Sequence, residues 1–224
     1  MIRPRGLFLT FEGSDGLGKT TGLEYFSKIL SDQGIEVETS REPGGTPVGE
    51  SLRNVLKDNS IESLNRMSEL LLIFAARCEH ITSRIEPALR DGKWILCDRF
   101  SDATYAYQGG GRAININHIE QIEALVGIDL QPDYSFLFDA SPEVGLARAT
   151  VRGEPDRFER EDINFYNRVR GAYLARVKRD PARWCVIDAN RSITNVQKIL
   201  TKECKRLVET WYLTHRPMKK SEIE

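Results

Sequence analysis

Residues 13–20 read Gly-Ser-Asp-Gly-Leu-Gly-Lys-Thr and fit G-x-x-x-x-G-K-[ST], with Thr21 a second hydroxyl behind the motif. Such a stretch holds phosphate. Its glycines let the backbone turn so that successive N–H groups point at anionic oxygens. Lys19 adds a point charge for the outer phosphates, and the Thr20 hydroxyl is placed to meet Mg²⁺. The motif needs a strand before it and a helix after it, because the helix N-terminus supplies further unpaired N–H groups. Both flanks are present. Leu7-Phe8-Leu9-Thr10-Phe11 is short, apolar and β-prone, and Leu23, Phe26 and Leu30, with Ile29 alongside, recur at helical spacing. A chance glycine-rich turn requires neither flank. The loop leaves open which nucleotide is bound, and whether phosphate is moved or merely sensed.

The rest of the chain repeats a β-loop-α alternation with five expected strands, which implies a parallel sheet sandwiched by helices. Gly34 punctuates the first helix, and residues 35–40 alternate as a strand. Arg41-Glu42-Pro43-Gly44-Gly45-Thr46-Pro47 is a turn-dense loop at a strand's carboxyl end, where open α/β sheets bind ligands. Residues 49–57 form a short helix carrying Arg53. A long helix is expected over 64–90, with Leu64, Met67, Leu71, Phe74, Cys78, Ile81 and Ile85 on one face, widened by Leu70, Leu72 and Ile73. So broad a stripe fits a helix-mediated homodimer and a deeply buried helix equally well. Trp94-Ile95-Leu96-Cys97 is an apolar strand that ends in Asp98-Arg99, the place for an acid that organises Mg²⁺ in a phosphate-loop protein. Residues 100–112 mix aromatic, hydroxyl and amide groups without a long apolar stripe and read as a pocket wall. Strands follow at 133–140 and 184–188. Helices are expected after Ser141-Pro142-Glu143, over 160–180, and through Ile193, Val196, Leu200, Leu207 and Trp211. Arg148 and Arg152 share one helix face before Gly153 and Pro155 break the helix. A phosphate loop needs a positively charged cover, so these arginines mark a lid.

Charge bounds the partners. The 224 residues carry 32 basic and 33 acidic groups, which disfavours nonspecific binding of nucleic acid or a membrane surface. No linker divides the chain, so one domain is expected over 1–214, with a lid at about 148–160 and a polar tail at 215–224. Cys78, Cys97, Cys185 and Cys204 are widely spaced and read as buried thiols, since a zinc site lacks both spacing and histidines. No secretory-type apolar segment opens the chain and no run approaches membrane-spanning length. The expected setting is a reducing one, the cytoplasm.

Several motifs coincide in order: Phe11-Glu12-Gly13-x-Asp15-Gly16-x-Gly18-Lys19-Thr20-Thr21, Arg41-Glu42-Pro43-Gly44-Gly45-Thr46, Asp98-Arg99-Phe100, Ala106-Tyr107-Gln108-Gly109 with Gly111-Arg112, and Arg152-Gly153 with Asp156-Arg157. The set resembles the bacterial thymidylate kinase family among P-loop nucleoside monophosphate kinases, over nearly the whole chain. The resemblance implies a P-loop NTPase-type α/β fold and transfer of the γ-phosphoryl of ATP to dTMP with Mg²⁺. It implies an ATP cradle of Gly13, Ser14, Asp15, Gly16, Leu17, Gly18, Lys19, Thr20 and Thr21, with Arg148 and Arg157 from the lid. Thr20 and Asp98 match the metal-organising pair. Asp15 matches a carboxylate that meets the dTMP sugar hydroxyl, and Arg53 and Arg99 match arginines on its phosphate. Arg77, Thr104 and Gln108 match groups near the base, and Tyr105 and Tyr107 are expected in the pocket wall. The aromatic that stacks on thymine often lies four residues before the base-reading arginine. Here that place holds Ile73, and Phe74, three before, is expected to take the role.

The phosphate loop itself has no arginine. Members of this kind resemble the type that carries the catalytic arginine in the lid, with Arg152 the first choice. The catalytic set implied is Lys19, Asp98, Arg99 and Arg152. An acceptor phosphate with a second pKa near ~6 is mostly dianionic at neutral pH and needs no general base. The competing readings are another nucleoside monophosphate or deoxynucleoside kinase, or a P-loop switch that changes partners with its nucleotide. The switch reading leaves the lid and pocket motifs without purpose, and a guanine-reading N-K-x-D is absent.

Overall fold

The computed structural model describes residues 4–61, 63–126, 129–149 and 156–215. Five parallel strands, β1 (Phe8–Glu12), β2 (Val37–Arg41), β3 (Trp94–Asp98), β4 (Tyr134–Asp139) and β5 (Trp184–Asp188), lie in the order β2-β3-β1-β4-β5. The crossover direction therefore reverses at β1, and ligands of open α/β sheets bind at the carboxyl ends around such a reversal. Phe11 and Arg41 are both in register with Asp98. That register brings the end of β1, the end of β2 and the Asp98-Arg99 corner to one edge.

Both faces of β1 are buried, as its apolar run requires. Leu9 and Phe11 meet α1 (Lys19–Ser31) and α9 (Ile193–His215) through Leu23, Phe26, Leu30, Leu200 and Cys204. On the opposite face Phe8 packs with Ile95, Leu70, Phe74 and Phe100. Leu137 and Trp184 extend that second layer against Phe165, Val169 and Tyr173 of α8 (Ile163–Arg179).

Helix α2 (Pro47–Lys57) starts at Thr46, whose hydroxyl accepts from Gly49 N at 3.0 Å. The long helix begins two residues later than its apolar stripe implies, because the Asn65 side chain caps the N–H groups of Met67 and Ser68. It runs as α3 (Arg66–His80), passes through a π-helical turn (Ile81–Ile85) and continues as α4 (Glu86–Arg90). The stripe is split. Leu70 and Phe74 are fully buried, whereas Met67 is 37% and Leu71 52% exposed, so deep burial within one chain does not account for its whole breadth.

The expected pocket wall is helical. Helix α5 (Ser101–Thr104) continues as a π-helical segment (Tyr105–Gly111), followed by α6 (Ile116–Leu125). Buried Asp102 anchors α5 through ion pairs with Arg176 on α8 at 2.6 Å and Arg183 at 2.8 Å. Helix α7 spans Pro142–Ala149. Helix α8 starts at Ile163 rather than 160, because the Asp162 carboxylate caps Phe165 N. The four cysteines are free. Cys97 and Cys204 are buried, but Cys78 and Cys185 are only half-buried. No described helix is long and apolar enough to cross a membrane.

Candidate active site

The β1-to-α1 turn closes as its glycines allow. Gly13 has φ 125°, and a Cβ there would lie 2.4 Å from the Phe138 carbonyl oxygen on β4. The loop can therefore lie on the sheet end only as glycine. Lys19 is 5% exposed and folds back to donate to the Ser14 carbonyl at 2.8 Å. Burial, and then the Arg99 charge, lower its pKa. Asp15, Gly16, Gly18, Lys19, Thr20 and Thr21 line one cleft together with Asp98 and Arg148. Leu17, Gly18, Thr21 and Arg148 border a second, adjoining pocket with Phe138 and Ala189.

A further cleft lies beyond Asp15. It is a half-open recess lined by both polar and apolar side chains, as small-molecule sites are. Asp15, Arg53, Arg77, Arg99, Thr104 and Gln108 all line it, with Ile73, Phe100, Ala103, Tyr107 and Phe158. Phe100, Ala103, Thr104, Tyr107 and Gln108 form an i, i+3, i+4, i+7, i+8 row, so one helical face makes one wall. Ile73 and Arg77, four apart on α3, make another.

Asp15 lines both clefts, and Arg99 holds it from the acceptor side. The Arg99 backbone sits in the left-handed region at φ 69°. Its side chain donates to the Asp15 carboxylate at 3.0 Å, the Gly13 carbonyl at 3.2 Å and the Tyr107 hydroxyl at 3.0 Å. Burial works to raise the Asp15 carboxyl, but the charges of Arg99 and Lys19 outweigh it and hold the group well below the usual carboxylate range. Arg53 donates to the Pro43 carbonyl at 2.8 Å. Its pKa is lowered by burial and by its neighbours Arg41 and Arg99, as befits positive charge gathered for an anion.

The donor set also fits a divalent cation. Asp98 Oδ1 is buried without a hydrogen-bond partner, and Asp98 Oδ2 accepts from the Thr20 hydroxyl at 3.4 Å. Two hard oxygen donors beside the phosphate loop, one of them orphaned, suit Mg²⁺.

The structure departs from three assignments. Phe74 is 1% exposed in the core with Phe8 and Leu70 and does not border the cleft. One residue of rotation on α3 turns it inward and gives the wall to Ile73. Tyr105 also leaves the cleft. It stands two residues before Tyr107, on the opposite side of the helix, where it donates to Glu123 and lies under Arg176 at 4.1 Å. Arg157 is not on the ATP side. It pairs with Glu69 of α3 at 2.7 Å and donates to the Leu56 carbonyl of α2 at 2.9 Å, stacked on Phe158. Arg152 lies outside the described residues, as does the 150–155 part of the lid. Arg148 borders the phosphate-loop cleft and donates to the Ala189 carbonyl at 2.9 Å.

Glu42 lines the cleft, with Glu69 and His80 behind it; the sequence reading named Glu42 only within its turn-dense loop and gave none of the three a role. Glu69 did leave a trace there, as a charge in a helix turn otherwise given to Leu70, Ile73 and Phe74.

Residues 11–199 match the family model described as Thymidylate kinase. A thymidylate kinase of Pseudomonas syringae pv. tomato is 48% identical over 91% of this chain and 97% of that protein. One from Ectopseudomonas mendocina is 50% identical over 86% and 91% of the two chains. The crystal structure of thymidylate kinase from Ehrlichia chaffeensis is similar with a TM-score of 0.71 and 37% identity, covering 90% of this chain and 99% of that one. With the phosphate loop, the double cleft and this extent of likeness in agreement, the chain belongs to the thymidylate kinase family.

Proposed function

We propose that this protein transfers the γ-phosphoryl group of ATP to dTMP, giving dTDP and ADP. The observation that carries the reading is the pair of clefts that meet at Asp15, with a phosphate loop on one side and an arginine-lined recess on the other. ATP takes the loop cleft, with its outer phosphates on the backbone N–H groups and Lys19. The acceptor places its phosphate towards Arg53 and Arg99, its sugar hydroxyl on Asp15, and its base against Arg77, Thr104 and Gln108. Two anions approach here, so the task of these residues is positioning and charge neutralisation. Asp98 and Thr20 would hold Mg²⁺, which when bound screens the charge of the outer phosphate oxygens. Arg152 and Arg148 from the lid add positive charge over the transferring group, and closure keeps water out.

The whole of 1–214 acts as one kinase domain. Four free thiols fit a reducing compartment such as the cytoplasm. The protein pairs as a homodimer through α2 and α3, two packed helices that each leave an apolar pair exposed at helical spacing: Val48 with Val55, and Met67 with Leu71.

The test is ADP release with ATP·Mg²⁺ against dTMP, dUMP, dCMP, AMP, GMP and thymidine. The expected result is a clear lead for dTMP with residual dUMP turnover, since one methyl group in an apolar pocket discriminates by only ~1–3 kcal/mol. A lead for another monophosphate would overturn the base-site assignment. No stimulation by any acceptor would overturn the kinase reading and favour a nucleotide switch.

A further inference from the structure

Two buried carboxylates anchor the acceptor cleft, Glu42 in its lining and Glu69 behind it, and the transfer itself uses neither. Glu42, at the loop after β2, is 3% exposed. Its Oε2 accepts from Arg77 Nε at 2.7 Å and its Oε1 from His80 Nδ1 at 2.9 Å. His80 Nε2 lies 2.6 Å from the Ser40 hydroxyl. With the His80 proton on Nδ1, facing an acceptor-only carboxylate, Nε2 accepts from Ser40 and the ring is held at both ends. Burial works to raise the Glu42 carboxyl, but the Arg77 charge and the His80 bond outweigh it, so the group is held below the usual range. Arg77 is locked in turn. Its NH2 donates to the Phe100 carbonyl at 3.1 Å and the Thr104 hydroxyl at 2.9 Å. Its remaining terminal nitrogen, NH1, is buried without a partner in a side chain that borders the cleft.

Glu69, fully buried on α3, does the same on the facing wall. It accepts from Gln108 Nε2 at 2.9 Å and Arg112 Nε at 3.2 Å, and pairs with Arg157 at 2.7 Å. A carboxylate flanked by two arginines can only accept. The amide nitrogen of Gln108 is therefore committed to Glu69, and its carbonyl oxygen is the end left for the cleft.

We propose that Glu42 and Glu69 are positioning residues that fix a donor at Arg77 and an acceptor at Gln108, so that the cleft reads a pyrimidine edge with a carbonyl at position 4 and an N–H at position 3. The proposal rests on the reading of this cleft as the acceptor's base site. A free glutamine amide turns to suit either kind of edge, and the bond to Glu69 removes that freedom. A 4-amino pyrimidine then meets the wall in reverse polarity, with its amino group facing the Arg77 donor and its bare N3 facing the Gln108 oxygen. Mismatched buried polar groups of this kind reject a ligand strongly.

The experiment compares kcat/KM for dTMP and 5-methyl-dCMP, which keep the same methyl group and differ at the 3 and 4 positions, in the wild type, Glu69→Gln and Glu42→Gln. In Glu69→Gln the new amide can donate to the Gln108 carbonyl and let Gln108 turn its nitrogen into the cleft. Each variant is expected to lower the dTMP to 5-methyl-dCMP ratio by ~10-fold or more, the worth of one buried hydrogen bond to a charged group, with a raised KM for dTMP and an unchanged KM for ATP. An unchanged ratio in folded variants overturns the proposal, as does a KM for ATP that rises in step with that for dTMP. If a glutamate variant does not fold, His80→Leu and His80→Asn decide. Asparagine keeps a donor for Glu42 and is expected to retain the ratio, whereas leucine is expected to lower it; equal ratios overturn the proposal. A wild type that phosphorylates dTMP and 5-methyl-dCMP alike overturns the base-edge polarity. One that phosphorylates neither overturns the kinase reading instead.

Discussion

Arg99 reaches three oxygens from a left-handed backbone, and the residue that holds the next peptide in place is Glu12. Its Oε1 accepts from Phe100 N at 2.9 Å and its Oε2 from the Tyr173 hydroxyl at 2.8 Å. Burial, and then the charge of Asp102, push the Glu12 carboxyl up from 4.5 to about 8, against the Tyr173 bond and the Arg99 charge. In the unfolded chain the proton leaves near the ordinary value, whereas in the fold it stays until about pH 8. Between those values the folded state binds more protons than the unfolded one, so this group's contribution to stability falls as pH rises. Glu12→Gln keeps the shape and removes the titration. The melting temperature of the wild type is therefore expected to fall relative to that of Glu12→Gln between about pH 5 and about pH 8.5. Parallel curves across that range would mean that Glu12 is ionised in the fold throughout.

Helices act here as carriers of rows rather than of single residues. The row from Phe100 to Gln108, along α5 and the π-helical segment after it, serves the acceptor cleft because its members fall at i, i+3, i+4, i+7 and i+8. The same rule excludes Tyr105. Phe74 fails for a related reason, since α3 buries the Leu70 and Phe74 side and turns Ile73 and Arg77 to the cleft. Helix α7 bears on the phosphate loop through one close approach. A Cβ on Gly145 would lie 2.8 Å from the Asp15 carbonyl oxygen and 3.4 Å from the Leu17 side chain. Gly145→Ala must therefore push α7 or the loop aside, with an expected loss of ~1–3 kcal/mol in denaturant unfolding and a raised KM for ATP. Unchanged unfolding together with an unchanged KM would mean that α7 rides freely over the loop.

For the molecule as a whole, the split stripe on α3 is where the dimer proposal is tested. On that helix Leu70 and Phe74 are buried, whereas Leu71 is 52% exposed. Leu71→Glu puts a charge into the proposed dimer contact while sparing the chain's own core. The expected outcome in sedimentation is a shift from dimer to monomer, with little loss of monomer stability because surface changes of this kind usually stay within ~0.5 kcal/mol. A wild type that sediments as a monomer would sink the dimer proposal.

The phosphate loop, the strand count and the parallel sheet were legible from residues alone, because each depends on local rules: glycines at turns, apolar runs for buried strands, periodicity for helices; the acceptor residues were named only through the resemblance to a family. Lys19, Thr20, Asp98 and Arg99 could be placed for the same reason, as they sit within a few residues of a strand end. The rest depended on rotation and long-range pairing. One residue of helical phase separates Ile73 from Phe74, and no stretch of sequence fixes which of two adjacent apolar side chains turns inward. Glu69 meets Gln108, Arg112 and Arg157 only after three distant segments pack together, and Glu42 meets Arg77 and His80 only across the β2 edge. Ionic partners brought together from such separations obey no spacing rule, so the anchors of the base wall, and with them its polarity, emerge only when the chain is folded.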